Sequence, residues 1–286
     1  YNSKQKVYHD FLIWDISMRK LHIIIFIDAL GWESVKKYNV FEKELPFRNS
    51  VEMQFGYTCT AIPTILTGKK PEEHKHFSFF YYNPEKSPFK FMKWLNFLLP
   101  SFIFKYNRVR GKLSQLVKKL KGYTGYFQLY LFPFKRLHLF DYCEKKDLFE
   151  PKSFYPIKNI TDHLMDRNIK YFISDWHKSD HETLTEFKDT IKQQEINFAY
   201  LTLAELDAVA HDDTKSGDKS IEKIRWYEES VREVLKIAKE NYSDVTLSVI
   251  SDHGMTTLKD TLDIKGKIEK LNLEFGLDYT ATYDST

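Results

Sequence analysis

The sequence predicts an α/β fold with a mainly parallel central sheet and helices on both faces of that sheet. Three apolar runs rich in β-branched residues, at 22–28, 197–203 and 245–250, are typical of strands buried on both sides. Helical patterns separate these runs, and the longest covers 220–241. Strands that alternate with helices indicate parallel pairing, because each helix carries the chain back across the sheet.

The remaining elements are predicted from local patterns and chain breakers. A further helix is expected to begin near Thr58, to tolerate Pro63 and to end at Gly68, because glycine is common just past a helix. Four other helices are predicted at 11–18, 32–39, 161–168 and 182–194, and two short strands at 51–55 and 171–174.

Composition narrows the functional classes. The formal net charge of +3 in 286 residues favours neither a nucleic-acid-binding nor a disordered protein. The two cysteines, Cys59 and Cys143, do not make a disulfide framework, so a cytoplasmic location is the default expectation. No apolar run reaches ~18 residues, so no membrane-spanning segment is predicted. The chain begins at Tyr1 without a signal sequence, and we expect it to be a fragment of a longer protein.

A shift in composition suggests three parts: a first core part at 1–83, a cap-like insert at 84–150 and a second core part at 151–286. Residues 84–146 contain 14 Lys or Arg and 3 Asp or Glu, interleaved with aromatic residues. Such a segment could contact a membrane interface peripherally or meet an anionic substrate. Alternatively its apolar side packs on the main domain while its lysines are solvated. No nucleic-acid-binding module is visible, so no specific nucleic-acid partner is expected.

Polar side chains follow each predicted buried strand. Because ligands bind outside the carboxyl ends of strands in such sheets, these side chains are candidate ligands. Carboxylate and imidazole groups suit zinc, with manganese as an alternative. Each cluster alone is more often structural, but three clusters on three strands favour a metal site. The candidates are Asp28; Glu205, Asp207 and His211; and Asp252 and His253.

Residue spacing supports metal binding by the second and third clusters, whereas Asp28 has an alternative role in local structure. Asp207 and His211 are four residues apart, so on a helix they share one face. Adjacent Asp252 and His253 could reach one ion only if the chain turns, which Gly254 permits. Asp28 could instead cap the helix that follows it.

Thr58 is expected at a helix N-terminus. Unpaired N–H groups and the helix dipole favour an anion there. The commoner use of such a threonine is as an ordinary N-cap.

Together these motifs resemble the alkaline phosphatase superfamily, in particular its type I phosphodiesterase and nucleotide pyrophosphatase branch. The matching pieces occur in the family's order and extend from residue 26 to 254. They are Phe-Ile-Asp-Ala-Leu-Gly at 26–31, Thr58 ten residues before Gly68, Pro-Glu-Glu-His at 71–74, Glu-Leu-Asp-Ala-Val-Ala-His at 205–211 and Ser-Asp-His-Gly at 251–254.

The resemblance implies an alkaline-phosphatase-like core with two divalent metal ions, zinc before manganese. Asp28, Asp252, His253 and the Thr58 oxygen would hold one ion, and Asp207 and His211 would hold the other. It implies hydrolysis of a phosphate ester, a phosphodiester or a nucleotide, through a phospho-enzyme intermediate on Thr58.

The sequence departs from the family in several places. No histidine follows His253, whereas the family has a late third histidine at the second metal. Either the chain is C-terminally incomplete, which we favour, or another ligand substitutes, or the second site is lost. Thr60 competes as the nucleophile, although the spacing to Gly68 favours Thr58. Phe79 stands near the position where nucleotide pyrophosphatases carry an asparagine, and Asn83 is the nearest asparagine.

Other functions remain open at this point. The basic insert would also suit a phosphoryl-group transferase acting on a lipid or glycan. The missing histidine would suit a catalytically inactive binding module. A sulfatase is disfavoured because that branch uses an oxidised Cys or Ser where Thr58 stands.

His74 and His76 could be extra ligands, although packing roles are commoner. The sequence predicts no oligomeric state.

Overall fold

The computed structural model describes residues 19–94, 106–129, 132–213, 217–256 and 259–281, so the predicted helix at 11–18 lies outside it. The chain forms two compact units: Tyr1–Gln54 with His163–Thr257, and Phe55–Asp162 with Leu258–Thr286. The second unit contains the predicted insert at 84–150 and extends beyond it on both sides.

The described elements follow the predicted alternation of strands and helices. The strands are β1 (Lys20–Ile27), β2 (Phe80–Tyr82), β3 (Phe140–Tyr142), β4 (Tyr171–Ile173), β5 (Phe198–Leu203) and β6 (Asp244–Ile250). The helices are α1 (Trp32–Tyr38), α2 (Thr58–Thr67), α3 (Pro71–His74), α4 (Asn107–Lys121), α5 (Ile160–Asp166), α6 (Asp180–Lys192), α7 (Glu205–Asp212), α8 (Asp218–Asn241) and α9 (Ile264–Glu269), with a 3-10 helix at Phe134–Leu139.

The first unit is built on a parallel sheet, which confirms the predicted fold class. The strand order is β4-β5-β1-β6, and every neighbouring pair is parallel. β1 therefore lies between the two other long strands. Ile27 pairs with Leu203 of β5, and Phe26 pairs with Ile250 of β6, so the three strands end at nearly the same level.

Helices α1, α6 and α8 flank this sheet and bury their apolar sides. On α8, apolar residues recur at helical spacing and are buried at Ile224, Tyr227, Val231, Val234 and Ala238. They join the strand residues of β1 and β5 in one continuous apolar core. Burial of this stripe stabilises the helix more than its intrinsic propensity does.

One predicted strand, at 51–55, is wrong. The chain has no regular structure there, and the side chains of Val51 and Phe55 are 86% and 91% exposed. Alternating apolar residues stabilise a strand only where one face can be buried against a core, and here neither face is.

The second unit is organised around aromatic side chains. β2 and β3 pair antiparallel, and Phe80, Phe89, Phe132, Phe140 and Tyr142 form the centre of its core. Helix α4 packs its Val117 side into this cluster. Helix α2 ends as predicted at Gly68, which has a left-handed conformation. No helix among the described residues is both long and apolar enough to cross a bilayer.

Two glycines set the spacing between the turns that follow β1 and β6. A Cβ on Gly254 would lie 2.8 Å from the Cα of Gly31, and a Cβ on Gly31 would lie 2.7 Å from the Cα of Gly254. Both contacts are with backbone, which cannot rotate away. The two turns can approach this closely only because neither residue has a side chain.

We therefore expect Gly254→Ala to destabilise the first unit by about 1–3 kcal/mol, because the added methyl group forces the backbone apart. Gly111→Ala is the control, because Gly111 lies within α4 with nothing within 4 Å of an added Cβ. Alanine there should raise stability by about 0.5–1 kcal/mol. Denaturant unfolding of both variants measures this, and equal stability of Gly254→Ala and wild type would contradict it.

A buried carboxyl group makes the second unit sensitive to pH. Burial raises the pKa of Glu144 from 4.5 to about 8, although its side chain accepts a hydrogen bond from the Tyr126 N–H at 3.2 Å. Between these values the folded protein keeps a proton that the unfolded chain has released. The contribution of Glu144 to stability is therefore fully present below pH 4.5 and is lost as the pH rises to 8.

We expect Glu144→Gln to become more stable relative to wild type as the pH rises from 5 to 8, by up to about 4 kcal/mol. Melting curves of both proteins across this range measure the difference. The comparison with wild type is needed because burial also lowers the pKa of His76 to about 4. The contribution of His76 to stability therefore increases with pH, whereas that of Glu144 decreases, and wild-type stability contains both. Glu85→Gln, at an exposed position, should show no such trend.

Candidate metal centre

The ends of β1, β5 and β6 bring predicted ligands together. One ligand atom each from Asp28, Asp207 and His253 lies within 4.8 Å of the others. Asp28 directly follows β1, Asp207 lies in the first turn of α7 after β5, and His253 follows β6. The convergence results from the sheet, because these three strands are parallel neighbours and end level with one another.

The distances between imidazole nitrogens and carboxylate oxygens at this edge fit a shared cation. Nε2 of His253 lies 3.5 Å from Asp28 Oδ1 and 3.3 Å from Asp252 Oδ2, and Nε2 of His211 lies 3.5 Å from Asp207 Oδ2. Charge-assisted hydrogen bonds are shorter, about 2.7–2.9 Å. Ligands of a tetrahedral zinc ion with bonds of about 2.0–2.1 Å are separated by roughly 3.4 Å.

The burial of Asp252 supplies a further sign of a cation. Its side chain is fully buried. Its Oδ1 accepts hydrogen bonds from the backbone N–H groups of His253 at 2.9 Å and Ala29 at 3.4 Å. Its Oδ2 accepts no hydrogen bond from any residue that the structure describes. A buried carboxylate oxygen without a hydrogen bond costs free energy, and a cation between it and His253 Nε2, 3.3 Å away, would remove that cost. The residues therefore fit a divalent metal.

The backbone after β6 makes the turn that these ligands need. Ser251 Oγ donates a hydrogen bond to the carbonyl oxygen of His253 at 3.0 Å, and the chain then passes through Gly254 against Gly31. The alternative role of Asp28 as a helix cap is wrong, because Gly31 occupies the N-cap position of α1. Asp28 is nevertheless buried, as a ligand at the foot of the crevice would be.

The helix that carries Asp207 and His211 is fixed by a buried polar network. Asp180 accepts hydrogen bonds from the N–H groups of Ala204 at 3.0 Å and Glu205 at 3.2 Å, at the start of α7. Glu205 in turn accepts one from the N–H of Asp180, and its other oxygen lies 2.6 Å from Lys223 Nζ. Each carboxylate thus stabilises the N-terminus of the other's helix.

Both carboxylate oxygens of Glu205 are thus engaged by protein groups, which gives this residue a structural role beside the candidate metal ligands. No motif in the sequence pointed to a role for Asp180 or Lys223 at this site. A signal for the position of Asp180 existed, because Ser179 and Glu182 form a capping box that marks the start of α6.

Thr58 is the first residue of α2, and the N-cap residue is Tyr57, so the ordinary N-cap alternative for Thr58 is wrong. Thr58 belongs to the second unit. Its predicted contact with a metal ion stays a prediction. The competing Thr60 is 1% exposed, and its hydroxyl donates a hydrogen bond to the Phe77 carbonyl oxygen at 3.2 Å.

The other candidates have local roles in the second unit. His74 is buried and shares a hydrogen bond with Thr64 Oγ1 at 3.1 Å, and its Nδ1 accepts one from the His76 N–H. Phe79 stacks on Tyr142 with ring centroids 5.8 Å apart. Asn83 Oδ1 accepts a hydrogen bond from the Lys86 N–H within a turn.

Comparison with known proteins gives one family. A family model described as type I phosphodiesterase / nucleotide pyrophosphatase matches residues 23–280. A solved structure of murine ectonucleotide pyrophosphatase / phosphodiesterase 5, an inactive variant in complex with AMP, is similar at 15% identity and a TM-score of 0.49. The match covers 83% of this chain and 57% of that one, so this chain spans little more than half of its length. A search among curated proteins gives no match.

The family model covers nearly the whole chain, including all three strand ends that carry the candidate ligands. The chain therefore belongs to the type I phosphodiesterase / nucleotide pyrophosphatase family, a branch of the alkaline phosphatase superfamily.

Proposed function

We propose that this protein is a metal-dependent hydrolase of phosphate esters that acts on phosphodiesters or nucleotide pyrophosphates. The observation that carries the proposal is the set of imidazole–carboxylate pairs at 3.3–3.5 Å on three adjacent strand ends. Membership of the family gives the reaction class. Two divalent ions, zinc before manganese, are proposed as cofactors.

The proposed ligands divide into two groups that adjoin one another. Asp28, Asp252 and His253 come from β1 and β6, and Asp207 and His211 come from α7. Asp207 lies within 4.8 Å of Asp28 and His253, which supports two neighbouring ions rather than two distant ones. Bound ions would lower the pKa of a coordinated hydroxyl and neutralise charge on the phosphoryl oxygens.

Thr58 is proposed as the nucleophile. Its hydroxyl oxygen would attack phosphorus and release its proton to solvent. The P–O bond to the alcohol or nucleotide would break, and this leaving group would take up a proton from solvent. Water would then cleave the phosphoryl ester on Thr58, which for a diester substrate still carries the second alcohol. Two facts support Thr58 over Thr60: Thr58 begins α2, where N–H groups and the helix dipole favour a phosphoryl anion, and Thr60 is buried with its hydroxyl engaged.

The effect of Asp252→Asn on stability should be opposite with and without metal. With zinc present, Asp252→Asn should lose at least one ion per chain and melt at a lower temperature than wild type, because a ligand bound only by the folded state stabilises it. With a chelator present, Asp252→Asn should be at least as stable as wild type, because the uncompensated buried charge is gone. Elemental analysis and melting curves measure both effects.

Asp244→Asn is the matched control for this test. Asp244 lies at the other end of β6, is 58% exposed and pairs with Lys20. It should change neither the metal content nor the melting temperature by much, because exposed ion pairs contribute little. Equal metal content in Asp252→Asn and wild type would overturn the proposed site.

Hydrolysis of bis(4-nitrophenyl) phosphate tests the nucleophile. We expect Thr58→Ala to lower kcat by roughly three orders of magnitude or more while most of the metal stays bound to the other ligands, and Thr58→Ser to retain partial activity. Thr60→Val should stay within several-fold of wild type. Rapid quenching followed by mass spectrometry should find one 4-nitrophenylphosphoryl group on Thr58, because one aryl group stays on phosphorus when the other leaves. Full activity of Thr58→Ala would refute this role.

The same assays separate the remaining alternatives. Zinc binding without turnover of any phosphate ester would indicate a binding module. Transfer of the phosphoryl group to an added alcohol in preference to water would indicate a transferase.

A further inference from the structure

One stretch of the second unit has an extreme charge distribution. Residues 86–140 contain twelve Lys or Arg and no Asp or Glu. Helix α4 alone carries six of these cations. A helix with this many like charges is not stabilised by pairs along its own surface, because such neighbours repel. The arrangement therefore needs an explanation outside the helix.

One side of α4 is apolar and buried, and the other side is exposed and positively charged. One side, with Val109, Leu113 and Val117, packs into the aromatic core of the second unit. The other side is exposed and carries lysines together with leucines. Leu116 is 53% exposed and Leu120 is 71% exposed, one turn apart on the same face.

An adjacent turn of chain extends this exposed surface. The ammonium group of Lys121 lies 5.8 Å from the ring centre of Phe91, which joins the end of α4 to the segment at 90–94. In that segment Met92 is buried, whereas Trp94 is 74% exposed. We call the exposed side chains of both elements the α4 patch: Lys90, Phe91, Lys93, Trp94, Lys112, Leu116, Lys119 and Leu120.

The lysines of the α4 patch form no ion pair with the acidic residues that the structure describes. Within the described parts of the chain, no ion pair involves Lys112 or Lys119 on α4, or Lys90 or Lys93 beside it. The nearest acidic residues along the sequence are Glu85 and Asp141. Asp141 is already paired with Lys145 at 2.7 Å. The patch is thus a concentrated, uncompensated positive surface.

We propose that the α4 patch docks on an anionic phospholipid bilayer surface. Exposed leucines with a tryptophan supply groups that enter the interface between headgroups and acyl chains. The surrounding lysines supply attraction to anionic headgroups. Nucleic acid is the weaker candidate, because phosphate-backbone binding explains the lysines but leaves Leu116 and Leu120 without a partner.

The binding mode is peripheral and does not require catalytic activity. Its apolar part is shallow, because the exposed groups stand on elements whose other side is buried in the core. Affinity for the membrane therefore depends both on insertion of the apolar side chains and on attraction of the lysines to anionic headgroups. It should fall at high salt, which screens the lysines, and on vesicles without anionic lipid.

Vesicle sedimentation of the whole chain tests the proposal. We expect binding to phosphatidylcholine vesicles that contain phosphatidylserine and little binding to phosphatidylcholine alone. The double variant Lys112→Glu/Lys119→Glu should lower the partition coefficient by at least roughly thirtyfold, since each lysine near such a surface contributes about a factor of five. Lys236→Glu/Lys239→Glu, at exposed positions of α8, makes the same change in net charge and should bind as wild type does.

Depth-dependent quenching gives a second readout that does not depend on charge. Brominated lipids should quench the fluorescence of bound wild type, and Trp94→Phe should remove most of this quenching while binding is nearly retained. Absence of binding to anionic vesicles would overturn the proposal. So would equal loss of binding in the α4 and α8 variants, or tighter binding of the α4 patch to double-stranded DNA than to vesicles.

Discussion

The pairing of β1 between β5 and β6 is the interaction on which the candidate site depends. Parallel hydrogen bonding fixes the register, so Ile27 lies level with Leu203 and Phe26 with Ile250. The three strands therefore end at the same edge of the sheet, and this places the side chains that follow them close together. The Gly31–Gly254 contact adds the last restraint, because it fixes how closely the turns after β1 and β6 approach.

Two buried aspartates in the same unit differ in how protein groups compensate their charge. Asp180 accepts hydrogen bonds from two backbone N–H groups and from the Tyr227 hydroxyl, and Lys223 lies 3.5 Å away. Its charge is compensated by protein groups, and it orders the helix that carries Asp207. Asp252 is as deeply buried, yet one of its oxygens accepts no hydrogen bond from any described residue. Apart from the His253 imidazole at 3.3 Å, this oxygen has no ion-pair partner among the described residues, and the proposed metal ion would compensate its charge.

The second unit uses charge in the opposite way. Its aromatic core is compact and apolar, and Glu144 within it carries a pKa raised by burial to about 8. Its α4 surface instead carries Lys112 and Lys119, which form no ion pair with any described acidic side chain. Repulsion among them costs folding free energy, and contact with an anionic surface would recover it. A single unit thus combines a core that excludes charge with a surface that concentrates it.

The sequence by itself determined the fold class, the bounds of the long elements and the identities of the metal-ligand candidates, because apolar periodicity and strand-end polarity are local properties. It predicted a strand at 51–55, where apolar residues alternate but are not buried against a core. Only the tertiary structure decided that Asp28 is a ligand candidate rather than a cap, that Glu205 binds Asp180 and Lys223, and that one buried oxygen of Asp252 accepts no hydrogen bond from a described residue. These outcomes depend on partners far apart in the chain, and local patterns carry no information about such partners.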